Sequence, residues 1–193
     1  WAKVEMGWIV PTLLTSPTDA ISLDQVETNP VAVKIVNEVR GREYFLIENR
    51  QAVGSDVNLP TCGLAIYHID ETQTDNDNQN CPPFTSGANY LIALEQADGA
   101  CDLETVAFPS NRGDDGDLFP GSSNNTELTP TSTPSTAPYS GLDTDISITN
   151  ISNCGATMTF DVDAFPLPPA LATPLDIVFL MDLTGSYRDD LPI

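Results

Sequence analysis

The sequence predicts a mainly β protein: an antiparallel sheet or sandwich with a short N-terminal helix and long loops, followed by one strand of a truncated α/β unit. Three observations carry this expectation. The segments EYFLIENRQ at 43–51, GLAIYHID at 63–70 and YLIALEQ at 90–96 contain apolar runs of strand length, and the last two are apolar on both faces, as in the middle of a packed sheet. The segment ATMTFDVD at 156–163 alternates strictly, the pattern of a half-buried strand. The 16 prolines and 12 glycines with 40% hydrophobic residues describe a loop-rich globular chain.

Each element has its own signal. Trp1, Val4 and Trp8 share a helical face, with Gly7 and Pro11 as stop signals, which predicts the last turns of a helix. Ile21 and Leu23 alternate with Ser22 and Asp24, and VAVKIV at 31–36 is β-branched, so two strands are expected there. Arg40 and Gly41 suit a turn into the strand that begins at Glu43. The pattern lapses from Asp102 to Leu142, and Ser122 to Ser140 is dominated by Ser, Thr, Asn and Pro. Such a composition buries little, and a long surface loop is expected. TDISITNIS at 144–152 and ATMTFDVD then form a hairpin turning at Asn153–Gly155, with Ala156, Met158, Phe160 and Val162 inward. FPLPPALATP at 165–174 reads as a semi-rigid spacer. The expected organisation is therefore a β-rich domain over 1–163, a linker over 164–174, and the start of another domain over 175–193.

Composition narrows the function. Twenty-eight acidic residues face seven basic ones, a formal charge of −21. That surface repels nucleic acid and anionic membranes and favours cations. No run approaches the roughly 18 apolar residues of a membrane span. The four cysteines, Cys62, Cys81, Cys101 and Cys154, match no zinc spacing and allow three full pairings as disulfides. Cys81 with Cys101 would tie the loop before one strand to the turn after it, leaving Cys62 with Cys154; free thiols are the alternative. The acidic surface suits solubility outside the cell, and a secreted or cell-surface location is expected. The chain opens on Trp1 rather than methionine, so a fragment of a larger protein is expected.

Several constellations could carry chemistry. The acidic loop NRGDDGDLFPG at 111–121 concentrates Asp114, Asp115 and Asp117 between glycines, and Asp98 in the turn EQADG would join them if both turns reach one sheet edge. Glycines allow several carboxylates to converge on one Ca²⁺; a solvated turn is the plain alternative. His68, the single histidine, cannot alone supply the three protein ligands of a catalytic zinc. A core imidazole bonded to Asp70 or a backbone carbonyl is expected instead. Glu48 and Glu95 end apolar runs with no nucleophile or oxyanion donor assignable beside them, so structural pairing with Arg50, Arg42 or Lys34 is expected. At the far end, the apolar run LDIVFLMD delivers Asp182, with Thr184 and Ser186 at alternate positions after it. These are hard oxygen ligands suited to Mg²⁺, or the caps of an ordinary turn.

Two resemblances follow. The segment PLDIVFLMDLTGSYRDDLP resembles the first strand and metal-ion-dependent adhesion site of von Willebrand factor A domains, with Thr184 where serine is commoner. The ordered blocks WAKVEMGW at 1–8, EYFLIENRQ, LPTCGLAIYHID at 59–70, LIALEQADG at 91–99, GDDGDLFPG at 113–121 and DISITNIS at 145–152 resemble the immune-inhibitor-A-type metallopeptidases, secreted bacterial zinc endopeptidases. The resemblance implies a zinc-binding HExxH helix upstream of these blocks, in a catalytic half that this chain would support. No HExxH occurs here, so no catalytic residue carries over. It also implies a protein or peptide substrate for the parent enzyme, and the A-type segment implies cation-dependent adhesion to an extracellular protein. The rival readings are an adhesin without peptidase activity and a calcium-stabilised sandwich that binds extracellular polymers.

Overall fold

A computed structural model describes residues 1–36, 42–77, 80–81, 84–85, 89–104, 113–139 and 145–163, the first two and last two of a short hairpin, at 80–81 and 84–85, as backbone only. The fold is mainly β. Strands β1 (Thr12–Leu14), β3 (Val33–Val36), β4 (Glu43–Arg50), β5 (Gly63–Asp70) and β8 (Ile92–Leu94) form one sheet in the order β1-β3-β4-β5-β8. Strands β2 (Thr18–Asp24), β10 (Thr157–Asp163) and β9 (Ser147–Thr149) form a second, in the order β2-β10-β9, and β6 (Asn80–Cys81) with β7 (Phe84–Thr85) makes a separate hairpin. All pairs are antiparallel except β1 with β3.

The alternation of side chains sorts the two faces of the large sheet. Val33, Ile35, Phe45, Ile47, Leu64 and Ile66 point one way and meet Leu23, Ile148, Met158, Phe160 and Val162 of the small sheet in one core. This is a sandwich, with each sheet burying one face against the other. Tyr44, Leu46 and Ile69 point the opposite way into a second, smaller cluster covered by Ile9, Val26, Trp1 and Val4. That double burial explains why β4 and β5 are apolar throughout, and both occupy the residues expected of them.

The sheets are also joined by polar and covalent links at one end. Buried Asn49 donates through Nδ2 to the carbonyls of Leu23 and Gly155, each at 3.0 Å. Cys62 and Cys154 form a disulfide across 92 residues of chain, closing a loop long enough to restrict the unfolded state by about 4.6 kcal/mol in the entropic account. This is one of the two pairings expected; the side chain of Cys81 lies outside the described residues.

Other expectations need correction. The N-terminal helix is one turn, Ala2–Glu5, broken where Gly7 takes φ +71°. The expected shared face is split: Trp1 and Val4 pack inward, but Trp8 is 66% exposed. The third apolar run lies at the sheet edge rather than its middle, and only Ile92–Leu94 is strand, half-buried. The hairpin holds, with Asp161 opposite Thr149, but its connection runs from 150 to 156 and Ala156 is exposed. The Ser/Thr/Pro-rich segment is no simple surface loop. Leu128 is fully buried in the sandwich core and forms a bridge with Ile148, and buried Thr136 donates to the Ile146 carbonyl at 2.6 Å. One leucine and two backbone hydrogen bonds anchor what composition alone suggested was loose. The turn at Arg40–Gly41, the linker over 164–174 and the A-type segment with Asp182, Thr184 and Ser186 lie outside the described residues.

Candidate functional site

Strand β5 is the axis on which the ionisable residues are arranged. His68 stands directly opposite Phe45 on β4 and Ala93 on β8. Glu43 lies two residues from Phe45, and Glu95 two from Ala93, so both occupy the face and the diagonal positions that reach the imidazole. Glu43 Oε1 lies 2.9 Å from His68 Nε2, and Glu95 Oε1 lies 3.2 Å from Nδ1. The ring is 2% exposed. Tyr139 stacks on it with centroids 4.4 Å apart, and Phe45 packs on it at 4.5 Å. The Tyr139 backbone N–H also donates to Glu43 Oε1 at 3.0 Å.

Burial opposes a charge on this ring, but hydrogen bonds to Glu43 and Glu95, reinforced by their charges, raise its pKa to about 9. His68 is therefore imidazolium at neutral pH, held between two carboxylates. Burial works against the Glu43 carboxylate too, yet the His68 and Tyr139 donors hold its pKa below the ordinary value. The partners expected from sequence were different. Asp70 instead accepts from Thr72 and Gln73 at the strand end. Glu95 is committed to His68, whereas Glu48 pairs with Arg50 at 2.9 Å as expected and accepts from Tyr67 Oη at 3.1 Å. Lys34 sits 3.4 Å over the Tyr44 ring, and Arg42 donates to the Glu71 carbonyl. With both imidazole nitrogens bound to carboxylates, His68 is not free to ligate zinc.

The acidic corner is built beside this cluster. The loop at 113–121 runs against β5, where Phe119 and Leu64 exchange both backbone hydrogen bonds, at 2.8 and 3.0 Å. Gly63 permits that approach, since a Cβ there would lie 2.2 Å from the Phe119 carbonyl oxygen. The turn after β8 then docks on the loop: Ala97 N–H donates to the Asp117 carbonyl and Asp98 N–H to that of Gly116. Buried Gln96 shapes the next turn, a 3-10 element over Asp102–Glu104, by accepting from the backbone N–H groups of Asp102 and Leu103.

These contacts bring Asp98, Asp102 and Asp114 together, with one carboxylate oxygen of each within 4.8 Å of the others. Asp98 and Asp114 were expected here, and both turns do reach one sheet edge. Asp115 is exposed and outside this group, contributing its backbone carbonyl to Ser122 N–H. Asp102 was not foreseen; it lies in a turn held by Gln96 hydrogen bonds. Asp117, expected as a ligand, stands behind the three. Its Oδ2 accepts from Asp114 N–H at 2.7 Å, and its Oδ1 is buried with no hydrogen-bond partner among the described residues. Burial, followed by the charges of Asp114, Asp102 and Asp98, pushes its pKa up to about 6 against the pull of that N–H. Asp114 and Asp117 also line a cavity of about 180 Å³ with Arg50 and Tyr67.

A second cavity, of about 300 Å³, lies on the outer face of the large sheet between the N-terminal turn and Leu46, Glu48 and Tyr67. Near it Met6, Trp8, Val10 and Leu13 are all more than half exposed, while Ile9 between them is buried. Among the described residues no helix is long and apolar enough to cross a membrane. No protein-family model matches the chain, and no curated protein or solved structure is significantly similar to it.

Proposed function

We propose that this chain is the non-catalytic, β-rich portion of a secreted zinc metalloendopeptidase, whose catalytic half precedes it and packs against the outer face of the large sheet. The observation that carries this reading is the incomplete cover of that face. The inner face is sealed by the second sheet, whereas the outer one has a single helical turn, a 300 Å³ cavity and an adjacent strip containing Met6, Trp8, Val10 and Leu13. Exposed apolar side chains gathered in this way mark a surface that another domain covers. The resemblance blocks supply strands β4, β5 and β8 of this sheet, together with the acidic loop. Zinc in the parent enzyme would polarise the scissile carbonyl and activate water. This chain would provide the platform, with the A-type segment adding Mg²⁺-dependent adhesion to an extracellular protein.

The test is peptide hydrolysis by the full-length product. Activity that a zinc-selective chelator removes and zinc restores is expected, with none from the 193-residue chain alone. Trp8→Ser and Leu13→Ser should lower activity of the full-length enzyme without unfolding the sandwich. Cation-dependent protein binding by a product without zinc-dependent proteolysis would replace this reading with that of an adhesin.

A further inference from the structure

We propose that the corner between the turn at 96–104 and the loop at 113–121 is a calcium site, with Asp98, Asp102 and Asp114 as carboxylate ligands and Asp117 as the buried carboxylate behind them. This does not rest on the peptidase reading. The three ligand oxygens lie within 4.8 Å of one another. Opposite oxygens around Ca²⁺ are separated by roughly 4.6–5.2 Å, twice the ordinary Ca–O distance, so the group has the scale of one ion's ligand shell. Only carboxylate oxygens are offered, a hard donor set that disfavours zinc and copper.

Asp117 is the independent observation. It is 5% exposed, and its Oδ1 has no hydrogen-bond partner among the described residues. An ionised oxygen buried in that way is costly unless a cation balances it. The carboxylate adjoins the corner: its Oδ2 fixes Asp114 N–H, and it shares a cavity lining with Asp114. Gly116 marks the point of convergence, since a Cβ there would fall 2.2 Å from Asp98 Oδ2 and 3.1 Å from Asp114 Oδ1. A side chain at that position would occupy the space the two carboxylates use. The remaining positions in the shell of six to eight oxygens are left to solvent and backbone carbonyls.

The experiment is calorimetric titration of CaCl₂ into chelator-treated 193-residue protein, at neutral pH and physiological ionic strength to screen diffuse attraction by the acidic surface. One saturable calcium site is expected. Asp98→Asn combined with Asp114→Asn should abolish it, and Asp117→Asn should weaken it about 10-fold or more, the effect of losing a supporting group. Asp19→Asn, at an exposed position on β2, should leave it intact. Asp102→Asn, in the half-buried 3-10 turn, provides a single change should the double variant fail to fold, as judged by circular dichroism. Absence of saturable binding, binding unchanged in the site variants, or equal binding of Mg²⁺ would overturn the proposal.

Discussion

His68 and Asp117 are both buried ionisable residues flanked by carboxylates, but their environments have opposite consequences. His68 is a cation placed between Glu43 and Glu95, and both ring nitrogens are satisfied. Asp117 is a carboxylate facing three others, with one oxygen unpartnered. The first arrangement supplies its own counter-charge and closes on itself. The second gains stability from an ion brought from outside. Charge in a protein interior therefore indicates a structural tie where the local sum is balanced and a binding site where it is not.

The sharpest way to break the comparison is to remove the histidine. His68→Leu leaves two glutamates facing each other in a buried site and should cost about 3–5 kcal/mol, the penalty for orphaning a buried charge. Urea denaturation measures it, and a loss below about 1 kcal/mol would mean that the glutamates find other partners. The pH profile is the next largest effect. The His68 pKa is raised from 6.5 to about 9, so its contribution is complete below pH 6.5 and fades as the pH climbs through 9. The full span is roughly 3 kcal/mol by linkage. Glu43, held below its ordinary 4.5, works in the opposite direction and loses its contribution as acid protonates it. Stability from this cluster should thus be greatest between about pH 4.5 and 6.5, and His68→Leu should flatten the alkaline limb.

The smallest effect has the opposite sign. Asp117→Asn removes a negative charge that faces three aspartates, while the amide oxygen can still accept from Asp114 N–H. Without divalent cations it should stabilise the fold by about 1 kcal/mol. The same carboxylate-to-amide change at Glu95 should destabilise, because it withdraws a counter-charge from His68. Matching signs in the two variants would dissolve the distinction between these regions.

The sequence displayed what regular patterns encode. Strands β4 and β5 were legible to the residue because their double burial writes an unbroken apolar run between turn signals. Met158, Phe160 and Val162 were legible through alternation. The acidic corner was half legible: spacing brought Asp98 and Asp114 into view, but Asp102 lies in a turn, held by Gln96 hydrogen bonds, that has no periodic signature. Leu128 was hidden because one core anchor within a Ser/Thr/Pro-rich segment disappears into the average composition. The partners of His68 were obscured for a different reason. They depend on strand register across β4, β5 and β8, which pairwise strand packing determines and no single segment displays.

Thermal unfolding of the 193-residue protein in calcium and in excess chelator, at matched ionic strength and pH 7, tests the imbalance at the acidic corner most directly. Free calcium at 100 times its dissociation constant should add about 2.7 kcal/mol. For a domain of this size, that raises the unfolding midpoint by roughly 5–10 °C. The increase should vanish when Asp98 and Asp114 are both changed to asparagine. An identical midpoint with and without calcium in the unsubstituted protein would contradict the account.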